Sequence, residues 1–157
     1  MQPIIRKARA AEAAALHALA VRSKAVWGYD AAFMALAGPK LALEEDWFAS
    51  GRVLAAEADW TAAGVAVVLP PDADGIAELE HLFVEPAFLR RGIGAALLEA
   101  AVAMARSDGA RALRALADPQ ARAFYERCGF RRIAEAPSDA IPGRMLPLML
   151  RDLREDG

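Results

Sequence analysis

Residues 80–101 read EHLFVEPAFLRRGIGAALLEAA. An apolar run closes at Pro86, two arginines follow, then Gly92-Ile93-Gly94, then a long alanine- and leucine-rich stretch. A strand ending at a proline and a helix opening on glycines is a strand–turn–helix unit. The first turn of a helix has N–H groups without intrahelical acceptors and carries the positive end of the helix dipole. Glycine lets an anion approach that backbone closely, and arginines fork onto phosphate oxygens. Arg90, Arg91, Gly92, Ile93, Gly94 and Ala95 are therefore candidate ligands of a phosphate or pyrophosphate. An ordinary strand-to-helix turn with exposed arginines has the same local pattern. A nucleotide P-loop fits poorly, because Ala95-Ala96 stands where Lys-Ser/Thr would be needed. A dinucleotide fingerprint fits poorly too, because Leu97 occupies its third small position.

Outward from this unit the chain alternates between helical and extended patterns. Ile4–Ala8 reads as a strand, Ala11–Val21 as a helix, and Asp30 as the N-cap of a second helix ended by Gly38-Pro39. Leu43–Ala49 reads as a third helix. Val53–Ala58 and Gly64–Leu69 read as a hairpin, and Ala77–Val84 as the strand before the glycine turn. Gly94–Arg106 has an inner stripe of Leu98, Ala101, Val102 and Ala105, with Gly109 as its C′ residue. Leu113–Ala117 is the next strand, followed by a helix from Asp118-Pro119 to Cys128 and strands over Phe130–Ala134 and Met145–Leu150. The order predicts an α/β (α+β) fold: a mixed sheet covered by helices. With 157 residues and no linker or repeat, residues 1–157 read as one domain.

Composition narrows the function. Net charge is −2 and the isoelectric point about 5.7, which argues against a nucleic-acid partner. No long apolar run marks a membrane span or signal peptide, so a cytoplasmic protein is expected. A single cysteine, Cys128, leaves no internal disulfide framework and no multi-cysteine zinc site, and no residue cluster suggests a metal. Oligomeric state stays open between monomer and homodimer.

A second stretch, ADPQARAFYERCGFRRI at 117–133, adds to the first. Together they resemble the two signatures of the GCN5-related N-acetyltransferase (GNAT) superfamily. One is Gln/Arg-x-x-Gly-x-Gly/Ala after a strand ending near Val-x-Pro, matched by Val84-Glu85-Pro86 and Gly92-Ile93-Gly94. The other is Asn-x-x-Ala-x-x-Phe-Tyr before Gly-Phe, matched by Ala121, Phe124, Tyr125, Gly129 and Phe130. Leu89 departs from the family's Gln or Arg.

The resemblance implies a mostly antiparallel sheet whose strands Ala77–Val84 and Leu113–Ala117 splay to admit the pantetheine arm of acetyl-CoA as acyl donor. Main-chain groups of Leu82, Phe83 and Val84 would pair with that arm, and Gln120 could hold it through an amide hydrogen bond. A backbone N–H near Val84 would face the thioester oxygen. The implied activity is acyl-CoA-dependent N-acyl transfer, most simply of acetyl to a primary amine on a small molecule or peptide. The alternatives are a non-catalytic acyl-CoA-binding sensor of the same fold and a nucleotide-binding domain of another fold.

An amine with a pKa of about 10.4 must lose a proton before attack. Glu78 and Glu80, two apart on one strand, share a face unless a bulge intervenes, and either could take it. Solvated strand residues are the plain reading of both. His81 is expected on the opposite face, where a packed histidine is commoner than a catalytic one. Tyr125 is the candidate acid for the departing thiolate, or else an aromatic packed on the arm, with Phe124 turned into the core. Cys128 reads as a small buried residue. Trp27 and Tyr29 at a helix break and Arg144 in the late loop are candidates for contacting the acceptor.

Overall fold

The computed structural model describes residues 2–154. Among them, seven strands form one sheet in the order β1-β2-β3-β4-β5-β7-β6. The strands are β1 Ile4–Lys7, β2 Val53–Ala58, β3 Thr61–Leu69, β4 Ile76–Val84, β5 Ala112–Leu116, β6 Arg131–Pro137 and β7 Met145–Asp152. Every neighbouring pair is antiparallel except β4–β5, which is parallel. The helices are α1 Ala13–Ala25, α2 Ala31–Ala37, α3 Glu45–Ala49, α4 Ile93–Ser107 and α5 Arg122–Arg127. The fold is the mixed α/β class expected from the element order.

The inner strands are built from alanine and valine because they are covered on both sides. One face buries Ala66, Val68, Ala77 and Leu79 against Leu97, Leu98, Ala101, Val102 and Ala105 of α4. That helical spacing gives one continuous apolar stripe. The other face buries Val53, Val65 and Val67 against Leu16 and Leu19 of α1 and Phe48 of α3. Asp30 caps α2, its carboxylate accepting from the Phe33 N–H at 2.8 Å.

Several boundaries differ from the sequence expectation. The first helix is a 3₁₀ turn over Ala10–Glu12 followed by α1, which runs to Ala25. The turn is held by Glu12, which bonds the Arg9 N–H at 2.8 Å and the Arg6 guanidinium at 2.8 Å. β3 begins at Thr61 rather than Gly64, because Asp59 and Trp60 alone make the hairpin turn, with φ of 52° and 66°. Two left-handed residues suit the strand twist in such a turn, but Asp-Trp lacks the usual glycine signal. α3 starts at Glu45, two residues later than Leu43, with Glu44 extended as its N-cap. The helix expected from Asp118 is a 3₁₀ turn over Pro119–Ala121 leading into α5.

Two features of β4 shape the site. Its pairing with β5 covers only Ile76–Ala112, Ala77–Leu113 and Glu78–Arg114. Beyond Glu78 the two strands separate while β5 stays paired to β7 through Leu116. Against β3, Val67 faces His81 and Val68 faces Leu79, leaving Glu80 unpaired in a bulge. The extra residue shifts the alternation. Ala77, Leu79, Leu82 and Val84 all pack toward α4, whereas His81 and Phe83 face the other side. His81 therefore shares the face of Glu78, contrary to the simple alternation expected from the sequence.

Candidate active site

The site forms where β4 and β5 part. Glu85 donates its N–H to Ala63 O at 2.8 Å. Antiparallel pairs alternate between bonded and outward-facing residues, so Phe83 bonds β3 while the main-chain groups of Leu82 and Val84 face the gap. These edge groups offer an extended ligand a strand to pair with.

At the mouth of the gap, Leu89–Gly92 turn into α4. Arg90 and Gly92 have φ of 66° and 78°, with Arg91 between them on the negative side. Alternation of this kind gathers successive N–H groups into an anion-binding concavity. The Ala96 N–H bonds Gly92 O at 3.0 Å, but none of the N–H groups from Arg90 to Ala95 has a protein acceptor among the described residues. Ile93, 2% exposed, anchors the turn in the core. A Cβ on Gly94 would meet Phe124 at 3.4 Å and Val84 at 3.5 Å, so the wall there is already close. Arg91 lies 3.2 Å from Asp59 and stacks over Phe88 at 5.1 Å. Arg90 is exposed and has no ion-pair partner among the described residues, and Leu89 is an exposed apolar rim residue. Six N–H groups without protein acceptors among the described residues, beside two arginines, fit a pyrophosphate, and the separated strand edge fits the arm attached to it.

Glu78 and Glu80 sit in different environments. Glu78 is bound by the Arg114 guanidinium at 2.9 Å. Burial pushes its pKa up against the opposing pull of Arg114. Glu80 has no cationic partner among the described residues. Partial burial raises its pKa, and the carboxylates of Glu78, Asp139 and Glu44 raise it further. His81 is buried, its Nε2 2.9 Å from Leu41 O and its ring edge-on to Trp47 and Phe83, both at 5.5 Å. Burial lowers its pKa, so the ring is neutral and its Nε2–H is the donor to Leu41.

Tyr125 is the buried member of the aromatic pair, with ring centroids 5.5 Å from Phe124 and 5.2 Å from Phe130. Burial pushes its phenol above the ordinary range. Phe124, expected in the core, is partly buried and packs against the core cluster, with its ring edge at the Gly94 position. Cys128 is half-buried at the end of α5 and its thiol pKa is raised by burial.

The remaining candidates belong to a polar cluster that the sequence did not reveal. The Tyr29 hydroxyl donates to Asp118 at 2.6 Å and accepts from Arg144 at 2.6 Å and Gln120 at 3.3 Å. Lys24 pairs with the same Asp118 oxygen at 3.1 Å. Burial alone would raise Asp118, but the Tyr29 bond, the Gln120 N–H and Lys24 hold it below the usual carboxylate range. Tyr29 stacks on Phe33 at 3.9 Å. The cluster ties the α1–α2 lip and the late loop to the end of β5. Trp27 is partly exposed on that lip. Among the described residues, no group of three or more His, Cys, Asp or Glu is placed to hold a metal, and no helix is long and apolar enough to cross a membrane.

A sheet that opens beside a turn of acceptor-free N–H groups fits an extended ligand with a phosphorylated end. The sequence pattern of the acetyltransferase (GNAT) family matches residues 22–130, and the chain belongs to that family. The fold is shared along almost its whole length with solved structures. PaiA N-acetyltransferase from Thermoplasma acidophilum, solved with coenzyme A, is 20% identical with a TM-score of 0.79, over 97% of this chain and 99% of that one. A GCN5-related N-acetyltransferase from Rhodopseudomonas palustris is 24% identical with a TM-score of 0.77, over 97% and 96%. YncA from Salmonella typhimurium, solved with acetyl-CoA, is 23% identical with a TM-score of 0.69, over 98% and 95%. No curated protein matches the sequence significantly.

Proposed function

We propose that this protein, acting as one domain over residues 1–157, transfers acetyl from acetyl-CoA to a primary amine. The observation that carries this reading is the separation of β4 and β5 beyond Glu78 next to six N–H groups without acceptors. The cradle from Arg90 to Ala95 takes the pyrophosphate, and the edge of Leu82 and Val84 takes the pantetheine arm. The coenzyme A and acetyl-CoA bound by the similar PaiA and YncA structures support that choice of donor.

The amine arrives on the side of Glu80. Glu44, Glu78 and Asp139 all act electrostatically on Glu80 there, and a group of carboxylates draws in a protonated amine. Glu80, lacking a cation of its own, takes the proton directly or through water. The neutral nitrogen attacks the thioester carbon, and the oxygen's developing charge meets a strand N–H near Val84. As the carbon–sulfur bond breaks, the thiolate takes a proton from Tyr125, which burial keeps protonated at neutral pH. The products are an amide and free CoA.

Thermal-shift titration with acetyl-CoA, CoA, ATP and NAD tests the first half, since a ligand that binds only the folded state raises the Tm. A shift with the CoA compounds alone is expected, followed by amine-dependent release of free thiol across an acceptor panel. A shift without thiol release from any amine would leave an acyl-CoA-binding sensor. No shift with CoA would remove the assignment. Tyr125→Phe is expected to lower kcat about a hundredfold or more with little change in CoA affinity. Unchanged turnover would remove the acid role.

A further inference from the structure

The last turn of α1 straddles the open end of the gap. Arg22 pairs with Glu85 just past β4 at 2.8 Å, and Lys24 pairs with Asp118 just past β5 at 3.1 Å. The loop between β6 and β7 brings in Arg144, 3.5 Å from the same Asp118 oxygen. Both cations stand over the Tyr29 ring, at 5.4 and 5.0 Å from its centroid, where the ring face holds them in place. Asp30, next to Tyr29 in sequence, accepts the Phe33 N–H and pairs with neither cation. Two cations thus share one carboxylate. The side chains of Lys24, Arg144 and Asp118 are only 15%, 18% and 9% exposed. One positive charge is left over where little water reaches it, and such a charge needs an anion. Arg144 engages the cluster through Nη2 alone, and its other two nitrogens donate to no protein atom among the described residues.

The opposite charge lies across the gap. Glu80 stands two residues past Glu78 on β4, and Asp118 four residues past Arg114, the parallel partner of Glu78. The cation cluster is therefore roughly 7 Å farther along the strand direction than Glu80, at about 3.3 Å per residue. The loop that carries Arg144 also carries Asp139, whose carboxylate acts on Glu80 together with those of Glu44 and Glu78. The gap is negative at Glu80 and positive at Arg144. We propose that the acceptor is a free amino acid, its amino group toward Glu80 and its carboxylate on the spare donors of Arg144, with Lys24 adding charge behind it. A guanidinium bonds a carboxylate more strongly than a neutral group. An amine without a carboxylate would leave the surplus charge unanswered. This substrate class rests on the acetyl-transfer reading above.

The test measures thiol release by the whole chain with the common α-amino acids and with their carboxamides, which keep the amine and lose the negative charge. For the best amino acid, kcat/KM is expected to exceed that of its amide by about tenfold or more, as a charge-assisted bond gives. The amide is also less basic, so the ratio is compared between proteins. Arg144→Gln should lower it about tenfold, through KM for the amino acid. Lys24→Gln should lower it too, and Arg144→Lys, which keeps the charge, should retain most of it. CoA titration shows whether each variant is folded; if Arg144→Gln is not, Lys24→Gln carries the same comparison. Binding is read without turnover from the Tm of the CoA-bound protein, which the amino acid should raise more than its amide, except in Arg144→Gln. Differences that are absent from the wild type, or that persist in the charge-removing variants, overturn the proposal. Transfer to simple amines without that preference overturns it and leaves the transfer reading intact. CoA binding with no transfer to any amine removes the transfer reading, and the Tm comparison then decides whether the carboxylate site exists.

Discussion

Alanine in place of Gly92 separates the anion cradle from the stability of the fold. Gly92 has φ of +78°, and a Cβ there would meet nothing within 4 Å. Gly92→Ala thus introduces no clash, only the cost of a left-handed residue, roughly 1–2 kcal/mol. A stiffer unfolded chain offsets about 0.4–1 kcal/mol of that. The net loss is about 1 kcal/mol, or roughly 2–4 °C in Tm for a domain of this size. Gly109 is a matched control at the other end of α4, with φ of +84° and again nothing within 4 Å. Gly109→Ala should lower the Tm by the same amount. The two variants should differ only in ligand binding. The Cβ in Gly92→Ala stands in the open space through which an anion would approach the N–H groups of the turn, and losing one or two charge-assisted bonds costs roughly ten- to a hundredfold or more in affinity. Denaturation without ligand, and calorimetry with CoA, read the two effects separately. Equal CoA affinity in Gly92→Ala and Gly109→Ala would refute the cradle assignment, however large the shared loss of stability.

The acidic limb of kcat/KM should reflect Glu80, whose pKa is raised by burial and by neighbouring carboxylates. Glu44→Gln or Asp139→Asn removes a like charge and should move that limb to lower pH, while Glu80→Gln should abolish it. A limb that ignores all three would assign the base elsewhere. Glu12 offers a stability test, because its hydrogen bonds to Arg6 hold its pKa at about 2 against an ordinary 4.5. A lowered carboxylate stabilises the fold above its unfolded pKa, and that contribution is lost as pH falls from about 4.5 toward 2. Glu12→Gln should therefore weaken the fold at neutral pH and flatten its acid unfolding curve; an unchanged curve would deny the Arg6–Glu12 pair its role.

The parts of the fold legible in the sequence are those written in local signals. Pro86 and Gly92 punctuate the strand–turn–helix unit, the stripe from Leu98 to Ala105 gives the buried face of α4, and Asp30 marks a cap. The bulge at Glu80 has no local mark, since it is set by how Val67 and Val68 pair across from it. The Tyr29 cluster was hidden for a similar reason. Tyr29 meets Asp118 from 89 residues away and Arg144 from 115, so the sequence could nominate Tyr29 and Arg144 separately but could not show that they bind each other.

The bulge also bears on which glutamate acts. Without it, Glu78 and Glu80 would be equivalent alternating residues, and nothing in the sequence would divide their roles. The register beside β5 ends at Glu78, placing that carboxylate against Arg114. Burial raises the pKa of Glu78 despite Arg114, but the lone pairs that face the guanidinium are already engaged. Glu80 lies two residues past the last β4–β5 pair, beyond Arg114, in a strand irregularity that leaves it accessible and surrounded by like charges. Two carboxylates two residues apart thus differ in partner and in pKa cause, the condition under which one can serve as a base while the other holds the structure. On this argument Glu78→Gln should act mainly through the Arg114 contact and so on stability, and Glu80→Gln mainly on the rate.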